Sequence, residues 1–215
     1  MKKSMHLNGR SALTLAGAPA EIAVILDRSA SMASIAGDAI GGFNSFVAAQ
    51  CLEPGEGRLT LILFDNEYEV PIKSLPLAEV PPLTDRTFVP RGSTALFDAI
   101  GRTIKKMTAS FAGRPQARRP TNIIVAILTD GFENASRHYT QAHIADLITE
   151  KRAQGWQFIF LAANQDAIAS AAKINIAPAD AVTFEANAAG ACAVFEDLSV
   201  MTAERRRRPQ QKSIT

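Results

Sequence analysis

Four unbroken apolar runs constrain this chain more than any other feature. Residues 21–27 read EIAVILD, 59–64 LTLILF, 123–128 IIVAIL and 157–162 QFIFLA. A strand with one wet face alternates apolar and polar residues. A run without alternation is covered on both faces, as in a parallel sheet between helices. Residues 68–75 (YEVPIKSL) do alternate, and Pro71 has no N–H to give a ladder, so this segment reads as an edge strand. Residues 181–184 are a weaker candidate for a last strand.

Between the runs, apolar residues recur at helical spacing. Ala36, Ile40, Phe43 and Val47 form one stripe, and Leu96, Ile100, Ile104 and Met107 a second. Ile144, Leu147 and Ile148 form a third behind Thr140, a candidate N-cap. Val194, Leu198 and Met201 form the last. Such stripes pack helices onto a sheet. Strand–helix alternation predicts an α/β fold. The form expected is a Rossmann-like three-layer sandwich, with a mainly parallel sheet, one antiparallel edge strand and helices on both faces. A chain of 215 residues suits one domain. The divisions expected are an N-terminal arm at 1–20, the domain at 21–204 and a basic tail at 205–215.

The 23 Lys and Arg nearly balance the 21 Asp and Glu, which gives no electrostatic case for nucleic acid or an anionic membrane. No apolar run reaches the roughly 20 residues that span a bilayer. Asn8, Gly9 and Arg10 interrupt the first apolar stretch, so it reads as an arm rather than an export signal. The two cysteines, Cys51 and Cys192, form no CxxC pair and read as small buried hydrophobes. They fit a reducing, cytoplasmic setting. His138 and His143 are spaced wrongly for a helical zinc pair, and His6 stands alone. Arg205 to Arg208 read as a solvated helix end that complements the helix dipole.

In a doubly wound sheet, ligands sit beyond the carboxyl ends of the strands where the chain order reverses. Three segments fall there: D-R-S-A-S at 27–31, G-S-T-A-L at 92–96 and T-D-G at 129–131. They offer Asp27, Ser29, Ser31, Thr94 and Asp130. Carboxylates and hydroxyls without His or Cys suit Mg²⁺, with Mn²⁺ or Ca²⁺ as alternatives, and argue against zinc. Two carboxylates with three neutral donors leave a metal electrophilic and open to a carboxylate from outside. Any one of these residues alone reads equally well as a helix cap, but capping does not explain the full set. Asp98 reads either as a supporting residue or as an acid favoured near a helix N-terminus. Glu133 and Asn134 read as a polar loop or as the rim of the site.

D-x-S-x-S, a later Thr and an Asp in a T-D-G turn resemble the metal-ion-dependent adhesion site of von Willebrand factor A domains. The resemblance covers roughly residues 21–200. The stretches ILDRSASM, GGFNSF, PRGSTALFDAIG and ILTDGFENAS are similar to compact bacterial stand-alone members. Many of those carry Gly where this chain has Ala30. The resemblance implies that Ser29, Ser31 and Thr94 bind the ion directly and that Asp27 and Asp130 act largely through water. It also implies that an Asp or Glu of a partner protein completes the site.

The function expected is therefore a divalent-metal-dependent protein-interaction module that is not an enzyme. One alternative is a structural subunit docked through the edge strand and the arm. The other is a metal-dependent hydrolase or phosphotransferase. The strand-end motif is D-x-S rather than the D-x-D of a phosphoaspartyl enzyme, and no G-x-S-x-G elbow, Walker loop or G-x-G-x-x-G occurs.

Overall fold

The computed structural model describes residues 19–163 and 166–208. The expectations for an N-terminal arm and for the end of the tail lie largely outside them. The strands are β1 (Ala20–Asp27), β2 (Gly57–Phe64), β3 (Tyr68–Pro76), β4 (Asn122–Thr129), β5 (Gln157–Ala163) and β6 (Ala181–Phe184). The helices are α1 (Ala36–Leu52), α2 (Leu96–Ala112), α3 (Gln141–Ala153), α4 (Ala167–Ala172) and α5 (Ala188–Arg207).

One six-stranded sheet runs in the order β3-β2-β1-β4-β5-β6. Every neighbouring pair is parallel except β2 with β3. β3 is an edge strand that carries Pro71, and its ladder shifts register between Leu59 and Leu63. The chain order reverses between β1 and β4, so a crevice opens where these two strands end.

The unbroken apolar runs serve two cores. Ile22, Val24 and Leu26 of β1 point into the layer of α1 and α5, with Phe43, Phe46 and Leu198. Ala23 and Ile25 point the other way, into the layer of α2, α3 and α4, with Ile100, Ile104 and Ile148. Alternate side chains enter opposite layers, so from Ile22 to Leu26 neither face of the strand meets water.

The α2 stripe is buried as expected. On α1 the buried face is rotated: Ala39, Phe43, Phe46, Val47 and Gln50 are buried, while Ala36 and Ile40 lie at its margin. Gln50 is buried because its amide meets α5, donating to the Ser199 carbonyl at 3.0 Å. Thr140 caps α3, and its side chain accepts from the His143 N–H.

Two expectations are corrected. Cys51 and Cys192 are exposed rather than buried. Each lies one residue from a buried position, Gln50 or Ala191, and about 100° of helical turn carries it off the packed face. The first half of the arginine run, Arg205 and Arg206, is built into the fold instead of solvated, while Arg207 and Arg208 are exposed. α5 runs to Arg207, so these arginines do end a helix. Arg205 is buried and paired with Asp180. Arg206 donates to the carbonyls of Gln50 and Gly55, and Arg207 forks onto Glu53. No helix among the described residues is long and apolar enough to cross a membrane.

Candidate metal centre

β1 ends in Asp27 and β4 ends in Thr129 followed by Asp130, on either side of the crevice. Asp27 is fully buried. Its Oδ1 accepts the Ser29 N–H at 2.6 Å and its Oδ2 accepts the Thr129 hydroxyl at 2.5 Å. The Ser31 hydroxyl donates to Asp130 Oδ1 at 2.7 Å and lies 3.1 Å from Ser29 Oγ. Ser29 makes no side-chain cap bond to the turn it precedes, which sets the capping explanation aside for that residue. A Cβ placed on Gly131 would lie 3.2 Å from Thr94 Oγ1 and 3.6 Å from Ser31 Oγ, so both hydroxyls face the same small space. All five residues singled out in the sequence are thus brought together at the switch point.

Thr94 is positioned by the loop after β4. Its N–H donates to Asn134 Oδ1 at 2.9 Å, and its carbonyl accepts the Asn134 N–H at 3.0 Å. Glu133 accepts the N–H of Phe97 in the first turn of α2, the N–H groups of Ala135 and Ser136, and the Ser136 hydroxyl. In return Asp98 accepts the N–H groups of Arg137, His138 and Tyr139. Burial opposes the Asp98 charge, but these three donors hold its carboxyl below the usual range. Asn134, Glu133 and Asp98 therefore clasp loop and helix together.

A second cluster supports the first loop. Arg28 is buried; its Nε donates to Asp65 Oδ2 at 3.0 Å and its two terminal nitrogens fork onto Glu69 at 3.0 and 2.7 Å. The Arg28 bond holds the Glu69 carboxyl below its usual range. Arg91 Nε reaches the same Asp65 oxygen at 2.9 Å. The backbone is tied as well: Arg28 N–H to Phe64 O, Arg91 N–H to Arg28 O, Ala30 N–H to Gly92 O and Ala95 N–H to Asp65 O. Gly92 has φ +68°, and a Cβ there would run into the Asn66 side chain. Asp65 and its arginines were missed in the sequence. The signal was present, since Asp65 ends the run LTLILF just as Asp27 ends its own.

The donor set fits a divalent cation. Burial pushes the Asp27 carboxyl up to about 6, against hydrogen bonds from Thr129 and Ser29, with the Asp130 charge adding to the rise. Burial also raises Asp130, which the Ser31 hydroxyl partly offsets. Among the described residues neither carboxylate has an ion-pair partner. The nearby guanidinium of Arg28 is committed to Asp65 and Glu69. Among the described residues no group of three His, Cys, Asp or Glu side chains is arranged for a metal. This set has two carboxylates, and its other members are hydroxyls.

The fold is that of von Willebrand factor A domains. The vWF domain of the type V pili tip protein Mfa5 from Porphyromonas gingivalis superposes with TM-score 0.64 at 11% identity, over 92% of this chain and 99% of that one. Proximal thread matrix protein 1 from the mussel byssus, with a zinc-occupied adhesion-site motif, superposes with TM-score 0.61 at 14% identity, over 87% of this chain and 48% of that one. The pilus adhesin SpaC from Lactobacillus rhamnosus GG gives 0.63 at 14% identity, over 86% and 30%. The chain spans about half the length of the mussel structures. No sequence-family model and no curated protein matches it.

Proposed function

We propose that this chain is a protein-interaction module whose partner supplies a carboxylate to a divalent ion held by Asp27, Ser29, Ser31, Thr94 and Asp130. The observation that carries this reading is the convergence of five hard oxygens from three loops on one crevice, with two buried carboxylates that have no ion-pair partner among the described residues. Asp27 and Asp130 would offset the ion's charge, and the hydroxyls would add donors without charge. An ion so held retains the electrophilicity to take an Asp or Glu side chain. Mg²⁺ is the first candidate, with Mn²⁺ or Ca²⁺ next. Zinc joins them because the mussel protein's motif accepts it. The adhesive and pilus proteins that share this fold support an interaction role, and the unpaired cysteines suit a cytoplasmic one.

The competing readings find less support. An enzyme needs a base or nucleophile beside its ion. Glu133, the next carboxylate along the loop, is committed to four hydrogen bonds, and His143 Nδ1 faces the Thr140 N–H. Docking by strand addition at β3 is blunted by Pro71 and the register shifts.

The test is retention of the purified chain on a resin bearing glutamate-containing peptides. Retention in millimolar Mg²⁺, release by chelator and loss in Asp27→Ala are expected. Retention that ignores both chelator and substitution would contradict the proposal.

A further inference from the structure

Beside the metal centre lies a cavity of about 160 Å³. Buried Leu96, Phe160 and Ile174 form its apolar floor, and Phe132 and Lys173 stand on its lip. Gly131 lines it too, and Gly131 is the residue whose Cβ position lies within 3.2 Å of Thr94 Oγ1. Cavity and metal centre therefore share one wall, a single backbone segment thick. Phe132 is 67% exposed, two residues from Asp130. An aromatic ring left in water at the edge of a concave apolar site is typical of a contact surface rather than of a core. The volume is below the roughly 300–1,000 Å³ of small-molecule sites, but suits one apolar side chain.

We infer that the partner's acidic residue is accompanied by an apolar side chain, which enters this cavity under Phe132 while the carboxylate meets the ion. The occupant is a segment of a partner protein with Leu, Ile, Met or Phe within two positions of its Asp or Glu. Continuity through Gly131 sets that short spacing. Lys173, which has no ion-pair partner among the described residues, favours an acidic segment over a basic one. The inference rests on the metal-bridge reading and adds the specificity that a bare carboxylate lacks.

The experiment is selection from a displayed peptide library with a fixed central Glu and randomised flanks, in Mg²⁺ and again with chelator. The wild-type chain is compared with Phe132→Ala and with Gln141→Trp, which places a bulky ring at another exposed lining position. Mg²⁺ calorimetry on each variant tells loss of the ion from loss of the cavity. Chelator-sensitive peptides from the wild type are expected to be enriched in apolar residues beside the Glu. They should bind at least one variant roughly tenfold more weakly, the scale of one apolar contact, while that variant still takes Mg²⁺. Chelator-sensitive peptides with no apolar bias, or an affinity that neither variant alters, would overturn the inference and leave the metal bridge standing. If no peptide is retained in a chelator-sensitive way, the metal bridge itself fails and this inference falls with it.

Discussion

Thr129 donates its hydroxyl to Asp27 Oδ2 at 2.5 Å and so ties the end of β4 to the end of β1 across the crevice. The same hydroxyl accepts the Gly131 N–H at 3.2 Å. One side chain thus sets both the Asp27 carboxylate and the turn that carries Asp130. Thr129→Val keeps the shape and removes the donor. It is expected to weaken Mg²⁺ binding by roughly 10–100-fold, the usual effect of losing a residue that orients a metal ligand. Calorimetry on a variant whose circular dichroism is unchanged provides the check.

Asn134 holds Thr94 by its backbone and leaves the Thr94 hydroxyl free to face the centre. Asn134→Ala should lower Mg²⁺ affinity by roughly tenfold with a stability change of about 1 kcal/mol. A variant that binds Mg²⁺ like the wild type would show that Thr94 needs no such anchor.

The Arg28–Asp65 pair is a matter of stability. Both side chains are buried, so Asp65→Ala removes a charged hydrogen bond and leaves Arg28 held by Glu69 alone. Losing a hydrogen bond between charged groups costs about 1.5–3 kcal/mol. Arg91→Ala, at a half-exposed guanidinium, should cost far less. Urea denaturation of the three proteins ranks them. Equal midpoints for Asp65→Ala and the wild type would refute the assignment.

The sign of the pH dependence follows from Asp27. Its folded-state value of about 6 lies above the ordinary 3.8, so the folded chain holds the proton more tightly than the unfolded one. Stability from that proton is complete below about 3.8 and fades as pH rises through about 6. Ion binding runs the other way, because it needs the carboxylate. The rise in Tm on adding Mg²⁺ should be small at about pH 5 and full above about pH 7. A shift independent of pH would mean that Asp27 does not charge when the ion binds.

The sheet was legible in the sequence because unbroken apolar runs arise only where both faces are covered. The edge strand was legible from Pro71. The candidate site could be picked out because its residues are all oxygen donors at strand ends or at a helix start. The supporting residues were not. Arg28 looks like any surface arginine until the fold brings Asp65 and Glu69 to it, 37 and 41 residues away in the chain. The α5 arginines read as a solvated end because nothing local shows Asp180, Glu53 and the Gln50 carbonyl waiting for them. On α1, Ala39 and Phe46 lie off the chosen stripe, because a helix wedged between a sheet and α5 buries a wider arc than periodicity alone suggests.

The most direct test is calorimetric titration of Mg²⁺ and Mn²⁺ into the purified chain, Asp27→Ala and Thr94→Ala, each with and without acetate. Saturable binding to the wild type that acetate strengthens, and that both substitutions abolish, is the expected result. Binding that survives both substitutions, or no binding over millimolar ion even with acetate, would contradict a metal centre at the β1–β4 crevice.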